Sequence, residues 1–163
     1  MGWNIISALV ENKPGVLFRV SNMFRARNFN IESLSVGPTE QQDLSRITVT
    51  IDSDETVTEQ LVKQLRKIID VVEVTRLATQ QTVYRELALI KLKAVDPTSR
   101  MEIINLANVF RGKIVDTSKG SIMVEITGTP AKIDAFKGLV EHYGVLQLAR
   151  TGVSALPRGA TFE

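Results

Sequence analysis

The stretch ENKPGVLFRVSNMFRARNFNIESLSV, Glu11 to Val36, decides the fold. It follows the apolar run WNIISALV, and its Pro14-Gly15 pair punctuates the chain between a strand-like run and a helix-like one. Val16, Leu17, Val20, Met23 and Phe24 recur at helical spacing, which predicts a helix from Pro14 to Arg27 with one apolar stripe. Trp3 to Val10 before it and Ile31 to Val36 after it read as strands. Further on, SRITVTID alternates, with Ile47, Val49 and Ile51 on one face and Arg46, Thr48 and Thr50 on the other. That is the pattern of a half-buried antiparallel strand. A second helix follows, capped by Ser53 or Asp54, with Val57, Leu61, Leu65 and Ile68 on its apolar side. Val71 to Arg76 supplies a fourth strand, so the order is βαββαβ.

The same order recurs beyond ATQQT, Ala78 to Thr82, a polar stretch without apolar periodicity that reads as a linker. Leu87 to Ala94 is a predicted strand. Asp96 caps a helix with Pro97 at its first position and Ile103, Leu106, Ala107 and Phe110 on its apolar face. Strands at Lys113–Thr117 and Ile122–Thr127 are joined by SKGS. Thr129 and Pro130 open a last helix carrying Ile133, Phe136, Val140 and Tyr143, and Val145–Arg150 closes the unit. The expected class is therefore α+β, with two tandem ferredoxin-like βαββαβ domains at residues 1–79 and 80–163. Domains this small bury only about 60% of their unfolded surface, and a sheet covered on one face leaves edges open, so at least a homodimer is expected.

The chain has 163 residues and no apolar run approaching the roughly 18 to 20 residues that span a bilayer. MGWNIIS lacks the basic flank and cleavage pattern of a signal peptide, so a cytoplasmic location and no membrane association are expected. With no cysteine and one histidine, His142, the sequence offers neither thiolate chemistry nor a histidine metal cluster, and no cofactor or metal is expected on this chain. The net charge of +2 is small and its basic residues are scattered, which argues against nucleic acid. An RNA-binding module of this fold would need aromatics on its central strands, where this chain has Val, Ile, Thr and Ser. Glu11, Glu32 and Asp116 stand at no spacing that defines a catalytic pair. His142, near a helix end, reads as a surface residue favoured by the helix dipole, and Lys63, Arg66 and Lys67 as a solvated helix face.

The Pro14-Gly15 turn remains open to two readings. Asparagines and a Pro-Gly pair are what turns require, so a purely connecting role is sufficient. A helix N-terminus also presents unpaired amides and the positive end of a dipole, so the amides near Gly15, Val16 and Leu17 suit a small carboxylate. Asn12 and Asn30, each offering donors and an acceptor, suit the two charged groups of a free amino acid.

ENKPGVLFRVSNMFRARNFNIESLSVGPTE, followed by DLSRITVTID, resembles the N-terminal ACT domain of the small, regulatory subunit of acetohydroxyacid synthase, also called acetolactate synthase. QLRKIIDVVEV, RELALIKLKA, VFRGKIVD and the tail RTGVSALPRG are similar to that family's second half, so the resemblance covers nearly the whole chain. It implies a non-catalytic subunit that binds and activates a large catalytic subunit using thiamine diphosphate, magnesium and FAD. It also implies feedback inhibition by valine in branched-chain amino acid biosynthesis. The implied effector residues are Asn12, Gly15, Val16, Leu17, Asn30 and Ile31, shared between two ACT domains of a homodimer. Phe18 departs from the family, where a small residue, often serine, is expected. A free-standing tandem ACT sensor is the alternative; it has no need of the tail from Thr151 to Glu163, which reads as an exposed segment able to dock elsewhere.

Overall fold

The computed structural model describes residues 2–159. The chain forms two compact units. The first holds the chain up to Tyr84 together with the C-terminal segment from Val153, and the second is Arg85–Gly152.

The first unit has the predicted order: β1 (Gly2–Glu11), α1 (Val16–Ala26), β2 (Ile31–Pro38), β3 (Leu44–Ser53), α2 (Glu55–Arg66) and β4 (Val71–Leu77). The sheet order is β2-β3-β1-β4 with antiparallel neighbours throughout. Alternation along β1 and β3 puts Ile6, Ala8 and Val10 beside Ile47, Val49 and Ile51 on the face that both helices cover. Val16, Val20 and Phe24, at i, i+4 and i+8, are the α1 residues buried there. Leu17 of the predicted stripe lies at the margin of the line that Val16, Val20 and Phe24 bury, in the first turn of a helix that begins at Val16 rather than Pro14, and stays 43% exposed. The choice of cap for α2 is also settled: the Asp54 carboxylate accepts the Val57 amide at 2.9 Å. The Ser53 hydroxyl bonds Thr58 inside instead, at 2.8 Å.

The second unit repeats the order with β5 (Thr82–Lys93), α3 (Pro97–Val109), β6 (Lys113–Thr117), β7 (Ser121–Gly128), α4 (Pro130–Val140) and β8 (Val145–Arg150). Its strand order β6-β7-β5-β8 matches the first sheet position for position. Ala88, Ile90 and Leu92 of β5 pack with Ile122, Val124 and Ile126 of β7 against Ile103 of α3 and Phe136 of α4. Asp96 and Thr129 cap α3 and α4 as their spacing predicts, accepting the Ser99 and Lys132 amides. His142 lies exposed in a single 3-10 turn, its ring 4.0 Å from that of Tyr143.

Two expectations from the sequence give way. The supposed linker is structured: Thr79–Gln81 make one 3-10 turn, and β5 begins at Thr82, five residues before the predicted Leu87. The tail is only partly exposed: Gly152, Val153 and Ala155 are buried, whereas Thr151, Ser154 and the residues from Leu156 to Gly159 stay open to solvent. Its strand β9 (Ser154–Pro157) pairs with β5, and the Arg158 amide donates to the Gln81 carbonyl at 2.7 Å. Val153 and Ala155 are 1% and 5% exposed, packed with Ile5 and Leu77 on the helix-free side of the first sheet, and Trp3 and Tyr84 lie against them. Ile5 and Leu77 are cross-strand partners on that side, and an apolar pair facing away from both helices needs a cover. Val153 and Ala155 of the tail supply it, while Leu156 stays 57% exposed. Residues 160–163 of the predicted tail lie outside the described residues. No helix among those described is long and apolar enough to cross a membrane.

Candidate functional site

The Pro14-Gly15 turn is built for open amides. Gly15 is the N-cap of α1 with φ 86° and ψ −10°, a left-handed conformation that L side chains adopt only with strain. It has no side chain to cap the helix, and no acid lies in the first turn. The Val16 amide reaches the Lys13 carbonyl only at 3.4 Å, and the Gly15 carbonyl accepts the Arg19 amide at 3.1 Å, which starts the helical ladder. Donors at the head of α1 therefore face outward without a side-chain acceptor.

Charged groups brace the turn. Arg19 Nε donates to Asp70 Oδ2 at 2.6 Å, and Asp70 is buried. The backbone carbonyl of Asp70 accepts the Glu11 amide at 2.9 Å, so one residue ties the end of β1 to the helix that follows. Arg19 Nη1 lies 3.4 Å from where a Cβ on Gly15 would sit. Lys13 pairs with Glu11 at 2.8 Å, and the hydrogen bond to that carboxylate raises the lysine above its ordinary pKa. Each cation at the turn is thus paired with a carboxylate, so the local charge is balanced and the donors left without a side-chain acceptor are the backbone amides at the head of α1.

The predicted residues separate into two groups. Asn12, Gly15, Val16 and Leu17 cluster at one end of the sheet, where Asn12 is exposed and its backbone N–H donates to the Asp43 carbonyl at 2.8 Å. Val16 keeps its side chain in the core, so only its backbone faces the turn. Asn30, exposed, and Ile31 lie at the other end. Glu11 pairs with Leu44 at the start of β3, whereas Ile31 pairs with Ile51, whose partner on β1 is Asn4. Seven residue steps at about 3.3 Å put the two groups about 23 Å apart along the strands. Phe18 stands on the first turn of α1, 68% exposed.

Arg19 and Asp70 escape sequence reasoning. Asp70 sits in IIDVV, with no spacing relation to the turn, and only the pairing of Val10 with Val71 brings it there. Glu11, Glu32 and Asp116 form no acid pair: Glu11 is taken by Lys13, and among the described residues no three His, Asp or Glu side chains converge as a metal site would require.

Comparison with known proteins bears on both units. Residues 6–73 match the AHAS small subunit-like ACT domain, and residues 85–159 match the family described as the small subunit of acetolactate synthase. A probable acetolactate synthase small subunit of Archaeoglobus fulgidus is 51% identical over 154 residues, 94% of this chain and 96% of that protein. The acetolactate synthase small subunit of Mycolicibacterium smegmatis is 47% identical over 154 residues, 94% of this chain and 90% of the other. The crystal structure of the acetolactate synthase small subunit from Thermotoga maritima superposes with a TM-score of 0.90 at 39% identity, covering 99% of this chain and 100% of that one. The likeness thus runs through both repeats and into the tail, and the chain belongs to the acetolactate synthase small-subunit family.

Proposed function

We propose that this chain is the non-catalytic regulatory subunit of an acetolactate synthase. It binds the large catalytic subunit, raises its activity, and makes it responsive to a branched-chain amino acid, valine foremost. The chemistry, with its thiamine diphosphate, magnesium and FAD, belongs to the large subunit; this chain contributes a ligand-dependent equilibrium between arrangements.

The observation that carries the reading is the separation of the two residue groups. Asn12 with the amides of Gly15 to Leu17 lies at one end of the sheet and Asn30 with Ile31 at the other, so one protomer holds two halves of a site but no whole one. β2 is an edge strand. Two copies paired antiparallel along β2 about a two-fold axis set the Asn30-Ile31 end of one beside the Asn12-Gly15 end of the other, completing two sites per dimer. The open amides take the carboxylate, the asparagines take the ammonium, and the aliphatic side chain lies against the apolar residues of the seam. An amino acid bridging two copies favours the arrangement in which both halves meet, and a 100-fold preference is about 2.7 kcal/mol of coupling.

Calorimetry with valine, leucine and isoleucine, alongside inhibition of the reconstituted synthase, tests this. Gly15→Asp places a second carboxylate against the incoming one and is expected to weaken binding by on the order of 100-fold or more. Asn12→Ala removes one polar contact and is expected to weaken it less. Both variants should still activate the large subunit. Loss of activation with unchanged amino-acid binding would show that the turn serves assembly rather than effector recognition.

A further inference from the structure

The C-terminal segment is held by the same strand that starts at the proposed effector site. Ser35 Oγ donates to the Val153 carbonyl at 2.7 Å, and the Val153 amide donates to Ser33 Oγ at 3.4 Å. Ser33 is itself fixed by the Thr50 hydroxyl at 2.6 Å. Two alternate side chains of β2 thus hold both backbone groups of one tail residue, two and four positions after Ile31. Val153 is 1% exposed, so if β2 moves and Val153 does not follow, a buried amide and carbonyl lose their partners. One residue earlier the chain leaves the second unit through Gly152, at φ 82°. Thr151, just before it, exchanges bonds with Leu87 of β5: its amide donates to the Leu87 carbonyl at 3.0 Å, and its hydroxyl accepts the Leu87 amide at 3.1 Å.

We propose that Ser33 and Ser35 are positioning residues for regulation. Through Val153 they pass the effector-dependent placement of β2 along the two-residue link of Gly152 and Thr151 to β5 of the second unit. This rests on the effector reading above, because β2 has a ligand to report only if Asn30 and Ile31 bind one. It goes beyond that reading in assigning a route by which the first unit instructs the second, and in giving the tail a task other than cover. Neither serine is among the six proposed effector residues. Their loss should therefore separate binding from response.

The test uses the holoenzyme reconstituted with Ser33→Ala/Ser35→Ala small subunit. Valine affinity is expected to stay within about threefold of the parent while most of the inhibition is lost. In the parent, valine should change hydrogen exchange at the Leu87 and Thr151 amides, and in the double variant that change should vanish. Ser33→Thr/Ser35→Thr, which keeps both hydroxyls, should restore inhibition. Full inhibition of the alanine variant at parental affinity overturns the proposal and leaves the effector site standing. Joint loss of binding and inhibition also overturns it, by showing a merely structural role. A parent that binds no branched-chain amino acid removes the effector reading itself, and this proposal with it.

Discussion

Helix α3 begins with Asp96, whose carboxylate accepts the Ser99 amide at 3.0 Å and the Ser99 hydroxyl at 2.8 Å; these bonds hold the acid below its ordinary pKa. Helix α1, in the same place of the first repeat, begins with Gly15 and has no side-chain cap. The other two helices follow α3, with Asp54 and Thr129 as caps. In the second repeat, then, the protein's own carboxylate occupies the position that the first repeat leaves open. One fold used twice leaves a helix start without a side-chain cap only at α1, and the proposed effector site rests on that departure from ordinary capping.

A second pair of features makes the same contrast. In the first repeat Arg76 of β4 reaches Asn4 of β1 and Glu55 of α2. In the second, Arg150 of β8 reaches Glu86 of β5, through Nε at 2.6 Å and Nη2 at 3.0 Å, and Asp134 of α4 at 2.6 Å. The registers make the two arginines equivalent: Arg76 pairs with Ile6 and Arg150 with Ala88, each two residues after the partner on the central strand. The clamp is shared but its burial is not. The Glu86 side chain is 5% exposed, whereas that of Glu55 is 65% exposed and Asn4 is neutral. Bonding to Glu86 and Asp134 holds the Arg150 pKa well above its ordinary value, so it is charged at every accessible pH.

The contrast predicts the largest effect at Arg150. Arg150→Ala leaves Glu86 buried without its cation and is expected to cost about 3 to 5 kcal/mol, read from hydrogen exchange of β5 and β8 amides in urea. Arg76→Ala, measured on β1 and β4, should move its unit far less, because an exposed pair is worth little. Equal losses would end the comparison. Next comes the glycine: Gly15→Ala puts a Cβ in the left-handed region and is expected to destabilise the first unit by about 1 kcal/mol. A rise in its urea midpoint would mean that backbone conformation does not demand glycine there. The smallest effect is in acid. A carboxylate whose pKa is depressed by folding stabilises above its unfolded value, about 3.9, and that contribution disappears as pH falls through the lowered value. Asp96→Asn should therefore flatten the loss of stability of the second unit between about pH 5 and pH 2, Asn still being able to cap. The slope of the first unit, to which Glu55 beside Arg76 contributes, should be unchanged.

Much of this was legible in the chain. SRITVTID alternates because one side of β3 meets two helices, and Asp96-Pro97 and Thr129-Pro130 announce helix starts because capping is local chemistry. Four of the six proposed site residues are recognisable from the turn alone, since glycine at a helix start and flanking asparagine are both local signals. The braces are not. Arg19 and Asp70 are 51 residues apart and meet only because β4 lies beside β1. Leu17 stays partly exposed although its spacing fits the stripe, because helical spacing does not tell the centre of an apolar stripe from its margin in a first turn.

The amino-acid sequence by itself determined two βαββαβ repeats, the caps of α3 and α4 and a turn with Gly15 and no side-chain cap candidate at the head of α1, because periodicity and capping act over a few residues. Tertiary structure alone decided that the tail closes the helix-free side of the first sheet. Val153 and Ala155 are short apolar residues in the segment GVSALP, and nothing near them names Ile5 and Leu77 as partners. It also decided that Asn12 and Asn30 lie at opposite ends of one sheet. Strand direction and register arise from pairing across β3, and no spacing along the chain contains them.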